Sequence, residues 1–294
     1  MTSFSFQRKL SIIGAFAASI AAPAIAHASI LPQIPASCFT YTVGHEDAAP
    51  NQLDAKSFHA ELTGTGYSLN VASTKMVDHD KKLDSAGLSR VNAASAYAAL
   101  TAYHRGVSQN CLQQPIPETD EIKGSRPEAT WSGVTLSHAG KKDIHLQAVH
   151  INVVSSTPTI HILFAASGLP HDISPIMPSS LSGDIDFTPA PHPPYEVALN
   201  SMKSTIGTST IEGHGTMNVA QSIKASQANI HLTISHIGSL IDQVKKVAPL
   251  KITTALLIAR LMGDNEGDHR TGWTIKLNNG EMLVNGVSVP MIFP

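Results

Sequence analysis

The sequence predicts an α+β fold, strand-rich, in which curved antiparallel β-sheets built as β-meanders pack against about three helices. Three observations predict it. Runs of alternating apolar and polar residues, the period of a half-buried strand, recur along the chain. The separators between many of them, such as AGKK, SSTP and two Asn-Gly pairs, are of hairpin length. Only about three segments carry a helical period instead.

The chain opens with an address. Met1 to Lys9 ends in two basic residues, Leu10 to Ala26 is an apolar, alanine-rich run, and two A-x-A arrangements follow at 24–26 and 26–28. A basic start, a short apolar run and a small-residue exit describe a secretory signal peptide. The run falls short of the ~20 apolar residues that span a bilayer, so residues 1–28 read as cleavable rather than as an anchor. No other apolar run is long enough to cross a membrane. The mature chain is expected in the periplasm with about 266 residues. Residues 29–168 then read as an N-terminal α+β half, 169–194 as a proline-rich connection and 195–294 as a C-terminal α+β half.

CFTYTVG, 38–44, alternates Phe39, Tyr41 and Val43 as a strand does. A strand-like region covers 58–72, with Gly64 and Gly66 marking a bend or bulge. Over 88–105 the period changes: Leu88, Val91, Ala94, Ala98 and Ala102 fall near helical spacing, alanine favours helix, and Gly106 supplies a stop. Strand-like runs return at 131–138, 143–154 and 159–166. Residues 168–194 hold seven prolines, which deny strands their N–H and disfavour helix before them, hence the connection.

In the second half, 195–206 reads as a strand or a short helix, and 208–219 as a strand carrying Gly213-His214-Gly215, a place for two strands to approach closely. The run 229–237 is a further strand. Leu240, Ile241, Val244 and Val247 share one face of a short helix. A second helix, 251–262, contains ALLIA and is apolar nearly all round. It is expected to be buried against a sheet; the sharper reading is a helix that leans on lipid. The ending WTIKLNNGEMLVNGVSV is a meander whose Asn279-Gly280 and Asn285-Gly286 supply the positive φ angles of type I′ turns.

The formal charge is −2, and removing Arg8 and Lys9 leaves about −4. Lysines are scattered, so the footprint of a nucleic-acid binder is absent. The chain holds two cysteines, Cys38 and Cys111. An oxidising compartment favours a disulfide between them, and their spacing fits no metal motif.

Fifteen histidines invite a metal. IHLQAVHI, 144–151, is echoed by IHLTISHI, 230–237, with histidines at the second and seventh positions of each. Side chains five apart in an unbroken strand face opposite ways, so His145 and His150, or His231 and His236, chelate together only across a bulge. The echo reads as two equivalent strands, with Ile144, Leu146 and Ala148 on one face and Ile230, Leu232 and Ile234 on its counterpart. An inter-strand metal using His145, His161 and His231 stays open. His79 between Asp78 and Asp80 is the one dense local cluster, and a charged turn accounts for it.

Enzyme motifs are missing: no G-x-S-x-G, no H-E-x-x-H, no C-x-x-C. Asp184 and Asp186 are spaced to share a strand face as paired acids do, yet sit among prolines, where a hydrated turn explains them. No catalytic, cofactor-binding or metal residue is assigned, and no cofactor is implied.

The order in the second half is a G-x-G strand, a strand running into a helix, an apolar helix, then WTIKLNNGEMLVNG. Over roughly 195–290 this resembles, in pattern, bacterial envelope proteins of the YdgA and AsmA-like type, including alphaproteobacterial relatives of unknown function. The resemblance implies a periplasmic β-rich fold, no known catalytic residues, and a role in lipid handling or outer-membrane maintenance. Relatives usually keep an N-terminal membrane anchor, where this chain carries a cleavable signal. The expected function is therefore non-enzymatic: a binding or structural protein of the cell envelope offering an apolar groove to a lipid or a protein. A histidine-based metal binder and an enzyme of unrecognised type are the alternatives. Oligomeric state is open.

Overall fold

A computed structural model describes residues 35–104, 123–169, 177–190, 194–220, 224–247 and 250–289. The chain divides into two units, 1–164 and 165–294. Each is strand-rich and antiparallel, with strands paired largely in chain order. The predicted signal peptide 1–28, Gly106 and Cys111 lie outside the described residues.

Unit 1 opens with β1 (Phe39–Ala49), β2 (Gln52–Leu62) and β3 (Tyr67–Asp78). Helix α1 (Ser85–His104) follows, then β4 (Pro127–His138), β5 (Ile144–Ser155) and β6 (Ile160–Ser167), the last running past the unit's end. The region read as one strand over 58–72 is two, because 63–66 form the β2–β3 turn, with Gly64 and Gly66 both at φ 73°. Helix α1 starts where Asp84 caps it: its carboxylate accepts the Gly87 N–H at 2.7 Å. The apolar face of the helix covers the sheet in two stretches. Leu88 and Val91 pack with Leu53, Met76 and Ala129. Ala93, Ala96 and Leu100 pack with Phe58, Leu69, Val71, Trp131 and Val134. The alanines let helix and sheet approach closely, and Trp131 Nε1 donates to Asn92 Oδ1 at 2.8 Å inside this core.

Those two stretches meet at a crease. Burial alternates along β2 through Leu53 and Ala55, pauses at Lys56 and Ser57, and resumes at Phe58, Ala60 and Leu62. The same two-residue pause falls at Ala72–Ser73 in β3 and Ser132–Gly133 in β4. The ladders place Lys56, Ser73 and Ser132 side by side. Ser57 (φ 55°) and Gly133 (φ 61°) take left-handed backbone there. A Cβ on Gly133 would stand 2.9 Å from that of Ala72, so glycine suits that position twice over. The pause restores the parity of the pattern and keeps one face of each strand on α1 along its whole length.

Unit 2 contains β7 (Ser180–Thr188), β8 (Tyr195–Ile206), β9 (Ser209–Val219) and β10 (Gln227–Ser235). Helices α2 (Ile237–Lys245) and α3 (Leu250–Met262) follow, then β11 (Asp264–Asn265), β12 (Arg270–Asn278), β13 (Glu281–Val284) and β14 (Val287–Val289). The strand order is β7-β8-β9-β10-β12-β13-β14, with β11 paired to β12. Strand β7 lies inside the stretch read as a connection: SLSGDIDF has no proline of its own, and its backbone pairs fully with β8. On one face of the sheet, Ile206, Ile234 and Trp273 receive Ile237, Leu240, Ile241 and Val244 of α2. Both predicted Asn-Gly turns are present, with Asn279, Gly280, Asn285 and Gly286 all at positive φ.

Candidate functional site

Helix α3 is not buried as the sequence led one to expect. Thr253 is buried and Leu256 packs against the α2 core, but Leu250 is 82% exposed, Leu257 41%, Ile258 53% and Leu261 86%. These four fall at i, i+7, i+8 and i+11, one stripe of a helix. The physical reason is one-sided support. Trp273 Nε1 of β12 donates to the Ala259 carbonyl at 2.8 Å, and Asn285 Nδ2 in the β13–β14 turn donates to the Met262 carbonyl at 2.7 Å. Asn285 Oδ1 in turn accepts the Thr274 N–H at 2.6 Å. These bonds satisfy carbonyls at the end of the helix, which otherwise lack partners. They hold one side of α3 to the meander and leave the leucine stripe facing out.

The other feature of unit 2 is a polar cleft of about 440 Å³ on the sheet face away from α2. Strand alternation sends Leu232 and Ile234 to the core and His231 and Thr233 into the cleft. Glu266, in the turn after β11, reaches over Gly272, where any Cβ would collide with its carboxyl. His231 Nε2 donates to Glu266 Oε1 at 2.6 Å and Thr233 Oγ1 to Glu266 Oε2 at 2.9 Å. Next to them Glu212 pairs with Lys203 and with Arg270, each at 3.3 Å. Desolvation pushes the Glu266 carboxyl up, but the bonds from Thr233 and His231 and the charges of His231 and Arg270 outweigh it, and the group sits below its ordinary 4.5.

A depressed carboxylate means that, below about pH 4.5, the unfolded chain binds more protons than the folded one, so this stabilisation fades as pH falls. Glu266→Gln should therefore lower the urea midpoint of unit 2 at pH 7, and the gap to the natural chain should close as pH drops from 5 towards 3. A gap that stays constant with pH would refute the assignment.

Thr274 Oγ1, His231 and Glu266 form a chain that invites a catalytic reading, with Thr274 Oγ1 3.5 Å from His231 Nδ1. The same threonine–histidine pairing occurs twice on the outer face of unit 1, Thr130 with His150 and Thr135 with His145, both at 3.0 Å. In all three, threonine and histidine are direct cross-strand partners. It is a recurring way to pair strands.

The echoed segments are less equivalent than their letters. Residue 147 of β5 faces the crease at Gly133, so Leu146 and Val149 both pack on the core. His145 and His150 consequently share the outer face instead of opposing one another. In the second copy His231 enters the cleft, while His236 leaves the strand in left-handed backbone at the start of α2 and stacks on His269. His79 donates to Glu128 at 2.7 Å, with His150 3.8 Å from the same carboxylate. Among the described residues no group of three or more histidines, cysteines and carboxylates is placed to hold a metal ion. Asp184 and Asp186 lie in β7 and both accept from Asn200 Nδ2, at 2.9 and 2.8 Å. Cys38 is fully buried beside Phe39 and Phe58.

No family model, no curated protein and no solved structure matches the chain. Function therefore rests on the two features just described.

Proposed function

We propose that the protein is a non-enzymatic binding protein of the bacterial cell envelope, secreted to the periplasm, whose binding surface is the exposed apolar stripe of α3. The stripe carries the reading. Four large aliphatic side chains on one helix face are held towards solvent by bonds on the opposite side, and such a patch marks a surface that something covers. A basic, apolar and small-residue leader supports export, and the compartment it implies supports a Cys38–Cys111 disulfide. Kinship with the YdgA and AsmA-like envelope proteins is part of the same proposal and rests on the pattern of the second half.

Native mass spectrometry of the protein purified gently from the periplasm tests all of this together. A mass starting near Ser29 and short by two hydrogens is expected, with a lipid-sized adduct that Leu261→Glu removes. An intact leader or unmodified thiols would refute export or the bridge. Zinc or copper retained under native conditions would replace the proposal with a metal-binding role.

A further inference from the structure

Resting on that reading of α3, we infer that its partner is an anionic phospholipid surface, on which the helix lies flat. Three observations choose this occupant. The first is charge. From Gln243 to Gly263 the sequence carries Lys245, Lys246, Lys251 and Arg260 and no carboxylate, with Asp242 and Asp264 bounding the stretch. Lys245 is shared with Asp242 at 3.1 Å, an exposed pair that headgroup phosphates compete with easily. An apolar stripe flanked by four cations against two carboxylates matches a layer whose outer charge is negative and whose interior is acyl chain.

The second is length. Thirteen residues of helix span ~20 Å, less than the ~30 Å hydrocarbon core. No helix among the described residues is long and apolar enough to cross a membrane. Tethered by Trp273 and Asn285, α3 offers its side, not its end, so it rests in the interface. The third argues against a second copy of the chain. Stripe-to-stripe pairing would bring the cations of two copies together, four from each against two carboxylates, which like-charge repulsion opposes. Phosphates neutralise them instead.

The test is flotation of the full mature chain with vesicles of phosphatidylglycerol and phosphatidylcholine, or of phosphatidylcholine alone, at low and high salt. The natural chain should float with the anionic vesicles, and weaken at least fivefold on neutral vesicles or in high salt. Lys246→Glu with Arg260→Glu should erase the preference for anionic vesicles, at about fivefold per cation removed. Leu250→Glu with Leu261→Glu should abolish flotation on both, with an unchanged thermal melt because both side chains are already in water. A natural chain that ignores both vesicle types, or charge reversals without effect, would overturn the lipid-surface inference. If the leucine variant then still loses a co-purified ligand or changes sedimentation, α3 survives as a binding surface for another occupant. If the leucine variant changes nothing in any assay, both readings fall.

Discussion

Replacing Asp78 by alanine is expected to destabilise unit 1 by about 3–5 kcal/mol, a large share of what holds a domain together. Asp78 is fully buried at the end of β3. Its Oδ2 accepts the N–H groups of Lys82 at 2.6 Å and Leu83 at 2.8 Å, and its Oδ1 those of Arg126 at 2.9 Å and Asp80 at 3.2 Å. One carboxylate thus fastens the turn into α1 and Arg126, the residue that leads into β4, segments far apart in sequence. Alanine strands four donors, and a buried donor without a partner costs about 1–3 kcal/mol. Asp78→Asn should be nearly as harmful, since an amide presents N–H to N–H on one side. Hydrogen exchange should show β3, β4 and the start of α1 losing protection together while unit 2 keeps its own. Near-natural stability of Asp78→Asn would refute the four-acceptor account.

The second large effect is expected at Gly215. Its φ of 152° is one that side chains avoid, and an added Cβ would strike the Asn229 carbonyl and stand 2.7 Å from the Ile230 Cα. Both obstacles are β10 backbone, which cannot rotate aside. Gly215→Ala should destabilise unit 2 by about 3 kcal/mol, combining backbone strain and overpacking. Gly213→Ala is the control. There the Cβ would find the His231 carbonyl at 3.5 Å and the Leu232 and Met202 side chains at 3.6 Å, all ordinary contacts, and no unusual φ, so a cost well under half as large is expected. Equal thermal shifts for the two variants would mean that the close strand approach is not what requires glycine at 215.

The Asn-Gly turns, the helix α1 and the strands from β4 to β6 were legible because their signals are local: two turn residues, a run of alanines, an alternation of apolar side chains. The apolar spacing of three between Ala55 and Phe58 has no local explanation. It becomes intelligible only when the pauses in β3 and β4 are seen to line up with it. Strand β7 was obscured by the prolines around it, although none sits within it. Burial of α3 was misread for a different reason. ALLIA states that a helix is apolar, but what covers it depends on Trp273 and Asn285, which follow it in the chain and hold one side only. The cleft was out of reach too: His231 and Glu266 meet because the β11–β12 turn folds back, and neither residue announces the other.

The crease in unit 1 has a bearing on how the strands find their places. In a uniform antiparallel meander a slip of one residue turns every side chain to the wrong face, but a slip of two leaves the faces intact and is a cheap mistake. Unit 1 does not tolerate the cheap mistake. Sliding β2 by two would draw the outward pair Lys56 and Ser57 away from Ser73 and Ser132. It would also carry the left-handed backbone of Ser57 to a point where its neighbour β3 has no pause to match. The pauses act like the notch on a key blank: they mark absolute position along strands whose pattern otherwise repeats every two residues, and so select one alignment from a ladder of near-equivalents.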